Sequence, residues 1–586
     1  MVRKQTPLKP YFEKMNVLGK ALSAGEKKRT AENVSALKEV ENNLSKKLEK
    51  LNQDGTPAET IHKRGELTAY ERIEYLVDPG TWLPFHSLLN TAGNEEGRTN
   101  VISGWGKIEG RWAVVVAFNN QMLAGAWVAG MPEQVMRATD MAKRMNIPLV
   151  WVLQCSGVKL TDAHKSLFPH RTGGGATFYR NAELNELGIP VLNAIFGTNP
   201  AGGGYHGISP TILIAHKDSN IAVGGLGIVG GMSPKGHFDM ETVQQVIEAT
   251  KKFKNVPPGR VTSHYDKTAF FREVHDTETG VLDSIKEYMK DLPAYAPRFF
   301  RVAEPAAPLY EESELYNVVP LNPKAIYDMQ QVLARLTDSS EFMEYRAEYG
   351  PEVFCGIAKM SGLPVALIGN NQGFYQKYPE YAGEGSMGIG GKLYRQGMIK
   401  IAEFVTLCDR DNLPIIWLQD TTGIDVGDIA EEAELLGLGQ SILYSIQKTN
   451  LSMMTLVLRK ATAAAHYVLG GPQGNKNNAF IIGSPAAEVY VMHGETAAVA
   501  TYSRRLVKEQ DSGNSLEPVI EKMNELVDIY YQRSRPEHCV ENGFLDEVVP
   551  MDKLRAYCLA FAEANYQNPR SITPVHQMIL PRTIKG

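Results

Sequence analysis

Residues 142–158, AKRMNIPLVWVLQCSGV, overlie residues 408–424, CDRDNLPIIWLQDTTGI, without a gap at an offset of 266 positions. Arg144/Arg410, Asn146/Asn412, Pro148/Pro414, Trp151/Trp417 and Gly157/Gly423 are identical pairs. Upstream, KIEGRWAVVVAFNN (107–120) parallels KMSGLPVALIGNN (359–371) with one gap. Downstream, IPVLNAIFGTNPAGGGYH (189–206) parallels LSMMTLVLRKATAAAHYV (451–468) at an offset of 262. Three segments repeated in order, over a period far longer than a solenoid's, point to a chain built of two similar halves.

Each half alternates its elements. An apolar strand (AVVVAF; VALIGN) precedes a polar-faced helix that ends before Asn-Ile/Leu-Pro. A buried strand follows (PLVWVLQ; PIIWLQ), then a loop, another helix, and a third strand that runs into small residues. Buried strands alternating with helices predict an α/β fold with largely parallel strands, and 586 residues suffice for two large cores. Residues 1–60 are expected to be an N-terminal helical segment, with amphipathic helices over 20–54 on the outside of the first domain. Six prolines between 293 and 323 mark a linker, leaving domains at 61–292 and 324–586.

Composition removes several classes. A formal net charge of −5 gives no support for nucleic-acid binding. No apolar run reaches the ~18 residues that span a bilayer, and MVRKQTPLKPYFEKM has no apolar signal region, so the expectation is a chain that is not exported. The five cysteines lack metal-ligand spacing, which predicts reduced thiols and no metal.

The small-residue segments carry the chemistry. Ala201-Gly202-Gly203-Gly204 stands where a helix should begin, and a helix start presents N–H groups without internal partners at the positive end of its dipole. Glycine lets a ligand reach those groups without a Cβ in the way. The preceding strand ends in its own tight turn, Cys155-Ser156-Gly157-Val158. Two parallel strand ends that each offer an amide make an oxyanion hole. The second half repeats the device with Thr421-Thr422-Gly423-Ile424 and Ala463-Ala464-Ala465-His466, Gly202 falling on Ala464 and Gly203 on Ala465. Two holes imply two reacting carbonyl compounds, and hence a transferase.

At these residues the chain resembles the carboxyltransferase family of biotin-dependent enzymes, whose two domains each have a crotonase-like (ClpP/crotonase) fold. KRGELTAYERIEYLVDPGTW (63–82) is similar to the family's entry motif, and NPAGGGYHGISP to its AGGA-YSPA loop. GNNQGFY, GIGGKLYRQGMIKIAEFVTLCD and LVLRKATAAAHYVLGG are similar to its second-domain motifs, and the resemblance runs on to ENGFLDEVV (541–549). Acetyl- and propionyl-CoA carboxylases carry SGGARIQEG where this chain has CSGVKLTD, and usually glycines where it has Ala463 and Ala464. QCSGVK, RNAELNELGIPV, LQDTTGIDVG and PVHQMILPR are instead similar to the family's decarboxylase branch, which acts on glutaconyl-CoA.

The resemblance implies that acyl-CoA binds the first domain, its thioester oxygen against the amides of Val158 and Gly202 with Gly203 close by. Gly157, Gly204 and Arg171 would flank the substrate. The ureido oxygen of biotin would meet Ala464 and Ala465, beside Gly423 and Ile424. It also implies a homodimer or larger assembly with the active site at the interface. No Met-Lys-Met biotinylation motif is present, so biotin is expected on a separate carrier subunit, with an integral-membrane sodium-pump subunit as further partner. The expected location is cytoplasmic, attached to the membrane through those partners. Cys155 as nucleophile, His206 and His466 as direct participants, and Arg180 as a phosphate or carboxylate ligand are weaker candidates, each with a structural reading beside it. The alternatives are a carboxyltransferase for propionyl-, acetyl- or methylcrotonyl-CoA, and a silent scaffold for a carrier and a pump.

Overall fold

The computed structural model describes residues 15–161, 169–208, 211–225, 238–253, 257–292, 297–375, 388–471 and 474–567. They fall into two compact units, 46–292 with Gln567 and 15–45 with 297–566. The long helix α1 (Ala31–Gln53) therefore gives its first residues to the C-terminal unit.

This corrects in part the expectation that the N-terminal helices lie on the first domain: only the end of α1 does, where Asn52 Oδ1 accepts from Tyr70 and Arg98. Asn33 donates to the carbonyls of Tyr316 and Val319, and the Tyr316 hydroxyl donates to Glu41. The two-residue strand Asn16–Val17 adds antiparallel to Glu341 and Phe342. The reason is that α1 has a narrow apolar face, with Leu37 its one buried residue, so its partners are set by polar groups that periodicity does not reveal. The Pro-rich stretch is also more than a spacer. Leu315, Tyr316 and Val319 are buried within it, part of the C-terminal unit.

In the N-terminal unit the strands are β1 (Leu83–Phe85), β2 (Val101–Ile108), β3 (Arg111–Phe118), β4 (Leu149–Leu153), β5 (Val191–Ile195), β6 (Thr198–Pro200), β7 (Ile212–His216), β8 (Asn220–Ala222) and β9 (Glu273–His275). The seven-stranded sheet has the order β9-β7-β5-β4-β3-β2-β1, antiparallel at β1/β2/β3 and parallel from β3 onward. Outside the sheet, β6 pairs with β8 in parallel. Strands β4 and β5 are buried at every residue, as a parallel sheet covered on both faces requires.

In the C-terminal unit the strands are β10 (Glu341–Glu344), β11 (Val353–Met360), β12 (Leu363–Asn370), β13 (Ile415–Thr421), β14 (Met453–Thr462), β15 (Asn478–Gly483), β16 (Glu488–Tyr490) and β17 (Glu547–Val548). The order β10-β11-β12-β13-β14-β15-β17 repeats the first sheet strand for strand and direction for direction, and β16 pairs with the end of β14. The sequence repeat is thus a repeat of topology.

The helices repeat too. α2 (Met131–Met145) and α4 (Arg395–Asp411) each end on a left-handed asparagine, Asn146 and Asn412, at φ 54°. Each asparagine terminates its helix, and a proline two residues later opens the next strand. The helix α3 (Gly202–Gly207) answers to α5 (Ala463–Val468). Two long helices, α6 (Gly494–Asp511) and α7 (Glu517–Ser534), complete the C-terminal unit's exposed side.

Candidate active site

In the N-terminal unit the chain leaves β4 into a turn with Gly157 at φ 109°. Val158 then forms a parallel bridge with Trp127. Trp127 donates its N–H to the Gly157 carbonyl at 2.7 Å, and Lys159 donates to the Trp127 carbonyl at 2.9 Å. Because the bridge uses the residues on either side of Val158, the Val158 N–H faces away from it, and no described group accepts it.

The second element is the start of α3. Ala201 precedes it at φ 49° with its own N–H given to Ala222 at 2.7 Å, and the first intrahelical bond is Tyr205 to Ala201. No side chain caps this end, so the N–H groups of Gly202, Gly203 and Gly204 have no helical acceptor. The three glycines differ in what they meet. A Cβ on Gly203 would fall 2.8 Å from Cys155 Sγ, and one on Gly204 would fall 2.9 Å from the Asn199 carbonyl oxygen. Those two are small because the helix packs on the turn and on β6. A Cβ on Gly202 would meet nothing nearer than the Phe178 ring at 3.6 Å, so the protein itself does not demand glycine there. The contact of Gly203 with Cys155 also brings the two donor-bearing elements together.

The C-terminal unit builds the same arrangement with different residues. Gly423, at φ 137°, and Ile424 pair in parallel with Lys392 and Leu393. Asp425 donates to the Leu393 carbonyl at 3.1 Å, which leaves the Ile424 N–H out of that ladder as it does Val158. Ala463 has φ 55°, matching Ala201. At the uncapped start of α5, Ala464 is exposed and Ala465 buried, as Gly202 is the more open and Gly203 the buried member of the first set.

The other candidates have structural roles. Cys155 is fully buried, its N–H bound to Asn199 Oδ1 at 2.8 Å, and burial pushes its thiol up to about 12, so no thiolate forms there near neutral pH. His206 stacks on Trp127 (4.8 Å between centroids, 3° between planes) and on Trp151. Burial lowers its pKa to about 3. His466 donates its Nδ1–H to Gln419 Oε1 at 2.8 Å, and burial lowers its pKa to about 4. Both rings are neutral packing groups. Arg180 is bound to Asp140, Glu183 and Thr139, while Arg171 is exposed and has no partner among the described residues.

Two features have no sequence signal of the kind used above. Trp127, whose backbone brackets Val158, lies far from it in the chain. Arg459 and Asp420 form a fully buried ion pair, Nε to Oδ2 at 2.8 Å, and Asp420 Oδ1 accepts the Lys460 N–H at 3.2 Å. That pair ties together the ends of β13 and β14, from which the Ile424 and Ala464 amides follow. Among the described residues no group of His, Cys, Asp and Glu is placed to hold a metal ion, and no helix is long and apolar enough to cross a membrane.

Residues 60–579 match the family model of the carboxyl transferase domain. The chain is 54% identical over 98% of its length, and 97% of the relative's, to glutaconyl-CoA decarboxylase subunit alpha of Acidaminococcus fermentans. It is 27% identical to the mitochondrial methylcrotonoyl-CoA carboxylase beta chain of Dictyostelium discoideum, covering 92% of this chain and 86% of that one. Among solved structures, the beta subunit of P. aeruginosa geranyl-CoA carboxylase has the same fold, with a TM-score of 0.75, 22% identity and coverage of 96% and 98%.

Proposed function

The chain belongs to the carboxyl transferase domain family, and on that premise we propose that it moves the terminal carboxyl group of glutaconyl-CoA to biotin, leaving crotonyl-CoA. The observation that carries this reading is the doubled donor pair, Val158 with Gly202 and Ile424 with Ala464, on the same elements in two units of one topology. The substrate is favoured by the 54% identity to a glutaconyl-CoA decarboxylase subunit.

The Val158 and Gly202 N–H groups hold the thioester oxygen, and Gly203 stands close behind them. When the bond to the terminal carboxyl group breaks, its electron pair spreads through the double bond to that oxygen, where the two donors stabilise the charge. One such donor typically contributes about 2.7–4 kcal/mol. The open side of Gly202 admits the thioester, and Gly157 and Gly204 keep the surrounding backbone close. Biotin is the acceptor substrate and arrives on a carrier protein. Its ring nitrogen exchanges a proton for the carboxyl group, and the proton balances the new C–H bond of crotonyl-CoA. Ala464 and Ala465, beside Gly423 and Ile424, hold the ureido oxygen in the second set. No side-chain base is required, since loss of the carboxyl group itself produces the carbanion. Arg171, exposed and without a partner among the described residues, is the side chain proposed to meet an anionic part of the substrate.

The assembly is a homodimer or larger, the first domain of one subunit facing the second domain of the other. A carrier subunit and an integral-membrane sodium-pump subunit complete it, so the chain sits in the cytoplasm against the membrane through these partners. The test mixes the purified chain with glutaconyl-CoA and follows crotonyl-CoA with and without free biotin. Biotin-dependent product is the expected result. Faster carboxylation of propionyl-, acetyl- or methylcrotonyl-CoA by carboxylated biotin would replace the substrate assigned here.

A further inference from the structure

The residue after Val158 and the residue after Ile424 are both charged, and the sign is reversed between the two units. Extending the offset of 266 by one position sets Lys159 on Asp425. Their backbones are used alike. Lys159 donates its N–H to the Trp127 carbonyl at 2.9 Å, and Asp425 donates its N–H to the Leu393 carbonyl at 3.1 Å.

Their side chains are used alike as well. Lys159 Nζ lies 2.6 Å from Glu96 Oε1, and Asp425 Oδ1 lies 2.7 Å from Lys392 Nζ. In the C-terminal unit the tie is direct, since Lys392 stands in register with Gly423 on the strand that pairs with Ile424. Trp127 brackets Val158 as Leu393 brackets Ile424, but the residue before Trp127 is Ala126, with no charge to offer. Glu96 comes instead from the loop that precedes β2. That loop is fastened to the Trp127 segment on both sides. Asn94 Nδ2 donates to the Ala129 carbonyl and Asn100 Nδ2 to the Ala126 carbonyl, each at 2.7 Å. Opposite charges, with partners drawn from different parts of the chain, thus make the same tie twice. What the repeat keeps is the tie, not the residue types.

The two turns have a use for it. Gly157 at φ 109° and Gly423 at φ 137° have backbone freedom that other residues lack. Beyond the pairs, Leu160 is 77% and Val426 80% exposed. A donor N–H stabilises a developing oxyanion only while it is aimed at it, and a displacement of about 1 Å costs rate. The four side chains are between 16% and 33% exposed, so the pairs add little to the stability of the fold. Their effect is local.

We infer that Lys159–Glu96 and Asp425–Lys392 are positioning pairs, which fix the Val158 and Ile424 amides by clamping the residue that follows each. This rests on the reading of those two N–H groups as donors. Lys159 acts through Val158 and not on the substrate, so its charge matters only as half of a pair.

The test compares loss of either partner with reversal of the pair, in the full chain. Lys159→Met and Glu96→Gln should each lower kcat for biotin-dependent crotonyl-CoA formation by about tenfold, short of the roughly 10²–10³-fold for deleting an oxyanion donor outright. The KM for glutaconyl-CoA and the melting temperature should stay near wild type. Reversal, Lys159→Glu with Glu96→Lys, should restore most of the loss. A lysine that contacted the substrate would instead tolerate Glu96→Gln and gain nothing from reversal, and that result would overturn the clamp. In the second unit, Asp425→Asn and Lys392→Met should raise the biotin concentration at half-maximal rate severalfold and leave the KM for glutaconyl-CoA unchanged. Hydrogen–deuterium exchange over residues 155–161 reads the first turn without any substrate. Faster exchange is expected in Lys159→Met, because the bond from its N–H to Trp127 opens more often. Unchanged exchange in that variant would overturn the clamp. Faster exchange with unchanged turnover would overturn the reading of Val158 as a donor, so the two failures are told apart. If Lys159→Met does not fold, Glu96→Gln is read in the same way.

Discussion

Gly202 and Gly203 are neighbours with opposite reasons for being small, and substitution separates them. Gly202→Val adds side-chain atoms beside a donor amide on the open side of α3, where the nearest protein atom to a Cβ is the Phe178 ring at 3.6 Å. Turnover should fall by about 10²–10³-fold while thermal unfolding stays near wild type. Gly203→Val instead drives carbon into Cys155 and should lower the melting temperature sharply, by the cost of overpacking, about 1–3 kcal/mol or more. Circular dichroism melts and a crotonyl-CoA assay on both variants check this; unimpaired turnover in Gly202→Val would remove the first oxyanion hole. The buried imidazoles predict a pH effect. His206 and His466 have folded pKa values of about 3 and about 4 against 6.5 for an ordinary ring. Their stabilising contribution is complete above pH 6.5 and is lost as pH falls toward the folded values, because the unfolded chain then binds more protons. Each loses about 1.4 kcal/mol per pH unit in that window. His206→Phe keeps an aromatic ring between Trp127 and Trp151, so its melting temperature should fall less than the wild type's between pH 7 and 5.

At the scale of elements, what is legible in the sequence is what is local. The Asn-x-Pro ends of α2 and α4, the buried runs of β4 and β13, and the small residues opening α3 and α5 are each encoded within a few positions. The two turns can be read because the repeat aligns them. What joins these elements is not local. The bridge of Trp127 to Val158, the packing of α1 beside Tyr316, and the Arg459–Asp420 pair depend on tertiary approach that no periodicity records. The Arg459–Asp420 pair has a measurable consequence. Arg459 Nη1 also donates to the carbonyls of Asn322 and Ala325, at 2.9 and 2.8 Å, so the arginine fixes the Pro-rich stretch as well as the strand ends. Removing one partner of a buried pair costs about 3–5 kcal/mol. Asp420→Asn should therefore lower stability and raise the biotin concentration needed for half-maximal turnover. Glutaconyl-CoA binding, which we propose for the other unit, should be unchanged by isothermal titration; a loss of CoA-ester binding would show that the pair does not act on the second donor set alone.

At the scale of the whole molecule, a chain with one donor set in each unit raises the question of which two sets work together. Large apolar side chains are exposed near both, Leu160, Tyr205 and Ile208 in one unit and Val426, Leu436 and Tyr467 in the other, which suits faces that meet another subunit. If the first domain of one subunit works with the second domain of its partner, two inactive variants will complement. Gly202→Val spoils the first set and Ala464→Val the second. In a head-to-tail dimer of one variant with the other, one of the two sites carries both lesions and the other carries neither. Random reassembly of equal amounts makes half of the dimers mixed, so the mixture should recover about a quarter of wild-type turnover from two preparations that have almost none. The measurement is biotin-dependent crotonyl-CoA formation after the two variants are dissociated together and reassembled, with each reassembled alone as the baseline. A site formed within a single chain would leave every subunit with a lesion and the mixture inactive. Recovery near a quarter thus places the working pair across two subunits, and it does so through the same two residues whose backbone amides the repeated topology puts in equivalent positions.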